Sequence, residues 1–131
     1  DKQILVHRKG ATRSFPGQPV IIGGSMETGS YLLVGTDKAM ELTFGSTAHG
    51  SGRTMSRTKA KQMVQAHQLQ QDMVKRGITV KAASTAGIAE EAGLAYKDIT
   101  EVVKSVELAG ISHAVVGLTP IGNIKGWFSN F

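Results

Sequence analysis

Short apolar runs alternate with glycine-rich or polar breaks along most of the chain, a pattern typical of short strands joined by turns. The runs that predict strands lie at residues 3–6, 20–22, 30–34, 78–82, 113–118 and 121–124. Residues 38–44 fit a helical turn and a strand equally well. The stretch at 45–52 contains only small residues and one histidine, and it predicts a loop.

Two longer stretches have the periodicity of helices. The first covers residues 59–76, with Ser56 as its N-cap and Gly77 just beyond its end. The second begins at the capping residue Asp98 and ends before Gly110. Apolar stripes are predicted from Ala60, Met63, Val64, His67 and Val74 in the first helix, and from Ile99, Val102, Val103 and Val106 in the second. A short helix is predicted at 88–92.

These elements predict an α+β fold of mixed short strands with two main helices, because strands and helices do not alternate regularly. The 131 residues are enough for one domain with its own core. The chain contains no cysteine, which excludes disulfides and thiolate metal sites. No run approaches the roughly 20 apolar residues of a membrane span, and no signal peptide opens the chain. We therefore expect a cytoplasmic protein with no membrane contact.

The positive charge lies in the first half of the chain. Residues 1–61 contain nine Lys/Arg and four Asp/Glu, whereas residues 62–131 contain six of each. This asymmetry favours a phosphate-bearing partner. A solvated basic surface without a partner is the alternative interpretation.

The most informative stretch surrounds His49, which lies between glycines in Gly-Ser-Thr-Ala-His-Gly-Ser-Gly and is followed by Arg53 and Arg57. Glycines allow a ligand to approach the backbone, and guanidinium groups match phosphate oxygens. A histidine in this setting can donate a hydrogen bond to a phosphate or attack phosphorus through a ring nitrogen. Composition alone leaves open that the loop only turns the chain. A Walker-type phosphate loop is excluded, because the Gly-Lys-Ser/Thr ending is missing.

Five motifs follow one another in a fixed order. They are His-Arg-Lys-Gly-Ala-Thr-Arg at 7–13, Gly-Gly-Ser-Met-x-x-x-Ser-Tyr at 23–31, His-Gly-Ser-Gly-Arg-x-Met-Ser-Arg at 49–57, Ala-Tyr-Lys-Asp at 95–98 and Pro-Ile-Gly-x-Ile-Lys-Gly at 120–126. In order and spacing they resemble the RtcB-type RNA ligases. The resemblance spans residues 3–126 and corresponds to the C-terminal portion of these enzymes.

The resemblance implies an enzyme that joins an RNA 3′-phosphate or 2′,3′-cyclic phosphate end to a 5′-hydroxyl end, with GTP and Mn²⁺, in tRNA splicing and RNA repair. A histidine attacks the α-phosphate of GTP and pyrophosphate leaves. The GMP then passes to the RNA 3′-phosphate, and the 5′-hydroxyl attacks the activated end. The implied RNA partners are tRNA halves or broken RNA ends.

Carried over by motif, the resemblance makes His49 the nucleophile and Lys125 a contact to the guanine. Ser25 and Ser30 are implied to line the guanine pocket, and the backbone at Gly50, Ser51 and Gly52 to face the nucleotide. A neutral imidazole suits this role, since histidine side chains ordinarily titrate near pH 6.5. The basic residues expected to contact RNA or phosphate are His7, Arg8, Lys9, Arg13, Arg53 and Arg57.

The family's metal ligands lie upstream of the first motif, so we expect no complete metal site in this chain. We interpret residues 1–131 as the C-terminal part of one RtcB-like catalytic domain, which needs the N-terminal part for catalysis. Glu27 replaces a usual glycine and is expected to bring negative charge near the nucleotide. Ser51 replaces a usual alanine, and residues 127–131 form a tail that the family usually lacks.

A second hypothesis is a non-catalytic RNA- or nucleotide-binding module derived from the ligase, which the basic first half alone would also fit. The remaining candidates favour structural interpretations: His67 and His113 are each expected to have a structural role. Tyr31 and Tyr96 are as consistent with packing as with stacking on a base.

Overall fold

The computed structural model describes residues 3–126 and has the α+β fold that the sequence predicts. In these residues the strands are β1 (Ala11–Arg13), β2 (Pro19–Gly23), β3 (Ser30–Gly35), β4 (Ser46–Ala48), β5 (Thr79–Ala82), β6 (Ser112–Leu118) and β7 (Gly122–Lys125). The helices are α1 (Asp37–Thr43), α2 (Arg57–Met63), α3 (Ala66–Lys75), α4 (Thr85–Glu90) and α5 (Ile99–Leu108), with a 3-10 turn at Gly93–Ala95. The tail at 127–131 lies outside the described residues.

The main core forms where α5 packs on the antiparallel sheet β2–β3–β6. Ile22 of β2 and Leu33 of β3 are fully buried on the face that meets α5. Asp98 caps α5 as predicted, since its carboxylate accepts hydrogen bonds from the backbone of the first turn. The predicted stripe of α5 is confirmed: Val103 and Val106 are buried against the sheet.

The predicted loop at 45–52 is wrong in its first half, because Ser46–Ala48 forms strand β4 and pairs antiparallel with β1. The Thr47 hydroxyl is buried 3.0 Å from the hydroxyl of Ser112. The strand predicted at 3–6 is also wrong: these residues pair with no strand in the part of the chain that the structure describes, and the side chain of Leu5 is 84% exposed. Residues 46–48 form a strand because a distant segment pairs with them, whereas an apolar run alone does not make residues 3–6 a strand.

The single helix predicted at 59–76 is two helices, because the chain is extended at Val64 and Gln65. Ser56 caps α2 as predicted, and the left-handed Gly77 follows α3. The break lets both α2 and α3 contact α4. It also shifts the buried face. The predicted stripe is confirmed at Ala60, which is fully buried, and is wrong at Met63, His67 and Val74, which are exposed, while Met73 is fully buried instead.

The other strand predictions at 20–22, 30–34, 78–82 and 113–118 are confirmed within one or two residues at their ends. The last predicted strand lies one residue later, as β7, and pairs parallel with β5. The undecided segment at 38–44 is helical in α1, with Thr36 as its N-cap. The helix predicted at 88–92 begins earlier, because the Ser84 hydroxyl caps it by accepting from the Gly87 backbone.

Among the described residues, the helices are all too short or too polar to span a lipid bilayer.

Candidate functional site

The loop that carries His49 is fixed by its backbone, and the imidazole is left exposed. Strand β4 ends at Ala48, and the His49 N–H then donates to the Gly10 carbonyl at 3.3 Å. The His49 carbonyl accepts from the Gly23 N–H at 3.4 Å, and the Ser51 N–H donates to the Gly23 carbonyl at 2.8 Å. The backbone is therefore held between two motif segments while the side chain stays at the surface.

The turn that carries Ser25 and Ser30 lies directly beside the His49 loop, because it follows Gly23, whose backbone is hydrogen-bonded to that loop. The Ser25 hydroxyl lies 3.0 Å from the hydroxyl of Thr28 and accepts from the Glu27 N–H at 3.1 Å. Ser25 is 9% exposed, so its hydroxyl organises the turn. Ser30 opens β3 opposite Gly23. The structure thus brings these two residues and the His49 loop to one place.

Glu27 does not present a bare negative charge. One carboxylate oxygen accepts from the Arg76 guanidinium at 3.1 Å, and the other accepts from the Gly93 N–H at 2.5 Å. Arg76 also donates to the Glu27 carbonyl at 2.7 Å. The negative charge expected from this departure is therefore neutralised within the protein and also ties the serine turn to the residues after α4.

Arg53, four residues after His49, is held in a network of internal contacts. Its guanidinium donates to the Tyr96 hydroxyl at 2.9 Å, to the Glu90 carbonyl at 2.6 Å and to the Met55 carbonyl at 3.1 Å. It also lies 3.5 Å from the Glu91 carboxylate and 4.8 Å from the centre of the Tyr96 ring. Most of its donors are thus used within the protein.

Arg57 is more exposed and lies 3.8 Å from the Glu90 carboxylate and 3.7 Å from that of Glu91. Its side chain is 63% exposed, which leaves much of the guanidinium open to solvent. The predicted phosphate contact therefore suits Arg57 better than Arg53, whose donors are largely engaged.

Lys125, at the end of β7, reaches the same network from a distant part of the sequence. Its ammonium lies 3.8 Å from the Glu91 carboxylate. The Tyr96 hydroxyl donates to the same Glu91 carboxylate oxygen at 2.5 Å, whereas Arg53 lies 3.5 Å from the other oxygen. Burial raises the pKa of Tyr96 above its ordinary value and Glu91 raises it further, while Arg53 opposes the shift. The phenol therefore keeps its proton at neutral pH and acts as a donor to Glu91.

The basic cluster at residues 7–13 divides into two kinds of side chain. Arg8 donates to the Ser46 hydroxyl at 2.8 Å and to the Phe44 carbonyl at 3.0 Å, so it holds the start of β4 in place. Arg13 donates to the Gln18 side chain at 3.1 Å. His7 and Lys9 are exposed. The RNA contacts predicted for the cluster stay a prediction, and His7 and Lys9 are the members best exposed to make them.

Residues 3–126 contain no group of three or more His, Asp or Glu side chains arranged to hold a metal ion. On their own, these residues therefore do not supply the ligands that the implied Mn²⁺ would need.

Two open grooves on the described surface lie elsewhere. One, of about 460 Å³, runs along α3 beside His67, Gln70 and Val74. The other, of about 430 Å³, lies between Ile4 and Phe44. Neither is lined by His49, Ser25, Ser30 or Lys125. The contacts between motifs define the candidate site, and neither of these two grooves coincides with it.

We expect Ser51→Ala to raise the free energy of unfolding by about 1 kcal/mol, because it removes a buried hydroxyl that has no hydrogen-bond partner among residues 3–126. Ser112→Ala is the matched control and should lower it by about 1 kcal/mol, since it leaves the buried Thr47 hydroxyl unpaired. Urea unfolding of the two variants measures both changes. Equal destabilisation by the two substitutions would contradict the prediction.

The sequence did not predict Glu90 or Glu91 as part of the site. The pair stands just before the Ala-Tyr-Lys-Asp motif, and only the fold shows that it faces Arg53, Arg57 and Lys125.

The motif segments that meet around Gly23 and Glu91 are those of one protein family. The family model of tRNA-splicing ligase RtcB matches residues 1–126, and the chain belongs to the RtcB family. It is 50% identical to a tRNA-splicing ligase RtcB of Methanopyrus kandleri over 96% of this chain and 14% of that protein. The match to the protein of that name from Archaeoglobus fulgidus is 50% over 95% of this chain and 28% of the relative. The chain thus spans well under a third of these relatives.

Proposed function

We propose that the chain supplies the guanylate-accepting histidine and the guanine pocket of a GTP-dependent RNA ligase. The observation that carries the proposal is the backbone pairing of the His49–Ser51 segment with Gly23. This pairing joins the histidine motif to the Ser25 and Ser30 turn. The relatives' shared name, tRNA-splicing ligase, supports an RNA substrate.

His49 is proposed to attack the α-phosphorus of GTP through a ring nitrogen. A P–N bond forms, the P–O bond to the β-phosphate breaks, and pyrophosphate leaves. The GMP passes to an RNA 3′-phosphate, and the 5′-hydroxyl of the second RNA end then displaces it. The exposed ring of His49 is accessible to both substrates, and the backbone bonds on either side of it fix its position.

The site must also neutralise the negative charge of the triphosphate, since cleavage of a triphosphate depends largely on positioning and on positive charge. Arg57 is proposed to meet phosphate oxygens, and Lys125 to donate to the guanine. His7 and Lys9 are proposed to contact RNA phosphates, for which basic side chains are the usual donors. Mn²⁺, when bound by residues upstream of this segment, would supply further positive charge.

The exposed outer face of the sheet supports the proposal that the segment is part of a larger catalytic domain. Ile21, Val116 and Leu118 are 57%, 45% and 47% exposed on this sheet. Apolar side chains grouped in this way usually mark a contact surface. We propose that the upstream part of the ligase, with the metal ligands, covers it.

The test uses a graft ligase, defined as the Archaeoglobus fulgidus relative in which this chain replaces the matching C-terminal segment. Incubated with GTP and Mn²⁺, it should join an RNA with a 2′,3′-cyclic phosphate to one with a 5′-hydroxyl, and omission of GTP should abolish joining. The unmodified relative is the positive control. A graft that binds RNA in a salt-sensitive way yet joins no ends would instead support a non-catalytic binding module.

A further inference from the structure

Glu91 is the point where three distant segments of the candidate site converge. Its carboxylate lies 3.5 Å from Arg53 in the segment after His49, and 3.8 Å from the Lys125 ammonium at the end of β7. It also accepts the Tyr96 hydroxyl at 2.5 Å. The Glu91 side chain is 21% exposed, so solvent screens these charges only in part. One carboxylate thus restrains groups from three sequence motifs.

We propose that Glu91 is a positioning residue that aims the Lys125 ammonium at the guanine base. The inference rests on the proposed function and deepens it, because it assigns nucleotide selectivity to a residue outside the five motifs. A lysine stem has four rotatable carbons and is poorly ordered without a partner. A carboxylate at 3.8 Å limits where the ammonium can lie, while its three hydrogens leave donors for a ligand.

The chemistry of the base makes this selectivity measurable. Guanine offers two acceptors, O6 and N7, on one edge, whereas adenine has an amino donor in place of O6. A well-placed ammonium, which only donates, therefore favours GTP over ATP. A displaced ammonium would lose that preference. Glu91 also lies 3.7 Å from Arg57, but GTP and ATP have the same phosphates, so the ratio between the two nucleotides reports the contact to the base.

Glu90 provides a matched control. It is the last residue of α4 and directly precedes Glu91, and its carboxylate contacts Arg57 at 3.8 Å and Lys61 at 3.0 Å. The structure gives it no ion pair with Lys125. Its contact to Arg53 uses the backbone carbonyl, which a side-chain substitution leaves in place. Glu90→Gln removes the same charge from the adjacent position without releasing Lys125.

The experiment measures covalent labelling of the graft ligase by GTP and by ATP, each labelled at the α-phosphate. Glu91→Gln should lower the ratio of the two kcat/KM values about tenfold, through a higher KM for GTP, as expected for a lost binding contact. Glu91→Asp keeps the charge and should fall between that variant and the unsubstituted graft. Glu90→Gln can alter the labelling rate with both nucleotides through Arg57, but the ratio should stay within about twofold of that of the unsubstituted graft, because GTP and ATP have the same phosphates.

Equal ratios in Glu91→Gln and Glu90→Gln would overturn the inference, as would a lower melting temperature in Glu91→Gln with an unchanged ratio. Both outcomes leave the proposed function intact, because the unsubstituted graft is still labelled. An unsubstituted graft that accepts no label would refute the proposed function and the inference together.

Discussion

Replacing His49 with alanine is expected to abolish covalent guanylate labelling of the graft ligase. Alanine has no nitrogen to form the P–N bond, so the labelling rate should fall by about a thousandfold or more, as when other enzymes lose their nucleophile. The fold should survive, because the backbone bonds of residue 49 to Gly10 and Gly23 do not involve the side chain. Labelling with GTP carrying a labelled α-phosphate measures the effect.

His113→Ala is the control for this prediction. His113 is exposed on β6, outside the candidate site, so its loss should leave labelling unchanged. Persistent label in His49→Ala, or equal loss in both variants, would contradict the assignment of His49 as nucleophile.

Replacing Gly35 with alanine is expected to lower the free energy of unfolding of the chain by about 3 kcal/mol or more, the upper range for overpacking. A Cβ at this position would lie 2.2 Å from the Phe15 carbonyl oxygen and 2.7 Å from the Ser14 hydroxyl. The backbone cannot move away cheaply, because Gly35 donates to the Gln18 carbonyl at 2.8 Å and accepts from Gly17 at 2.9 Å. Urea unfolding measures the loss.

Gly87→Ala is the matched control for Gly35→Ala. A Cβ there meets only the Ser84 hydroxyl, at 3.6 Å, and the residue lies within α4. Alanine should therefore raise stability by about 0.5–1 kcal/mol through helix propensity. If the two substitutions gave similar free energies of unfolding, the close packing at Gly35 would be wrong.

The parts of the fold that the sequence predicted are those with a strong local pattern. Helix α5 has a capping aspartate, an apolar stripe and a terminal glycine, and all three signals agree. Strands β2 and β3 are apolar runs that glycines end. Local physics determines such elements, so a single sequence suffices to find them.

The parts that the sequence did not predict depend on contacts between distant residues. Strand β4 forms from small residues because β1 pairs with it, while Arg8 binds Ser46 at 2.8 Å across 38 positions. The break at Val64 could not be predicted from a Gly or Pro, because neither residue is present there, and it lets both flanking helices contact α4. In the same way, the motifs predict His49 and Lys125 as site residues, whereas the contacts of Glu91 with Arg53, Arg57 and Lys125 required the fold.

The assignment of His49 as the residue that accepts GMP is tested most directly by mapping the guanylate in the graft ligase after labelling with GTP. Trypsin should release residues 39–53 as one peptide, in which His49 is the single histidine. We expect an acid-labile, alkali-stable guanylate on His49 in this peptide. A guanylate on Lys125, or on any peptide from outside this segment, would contradict it.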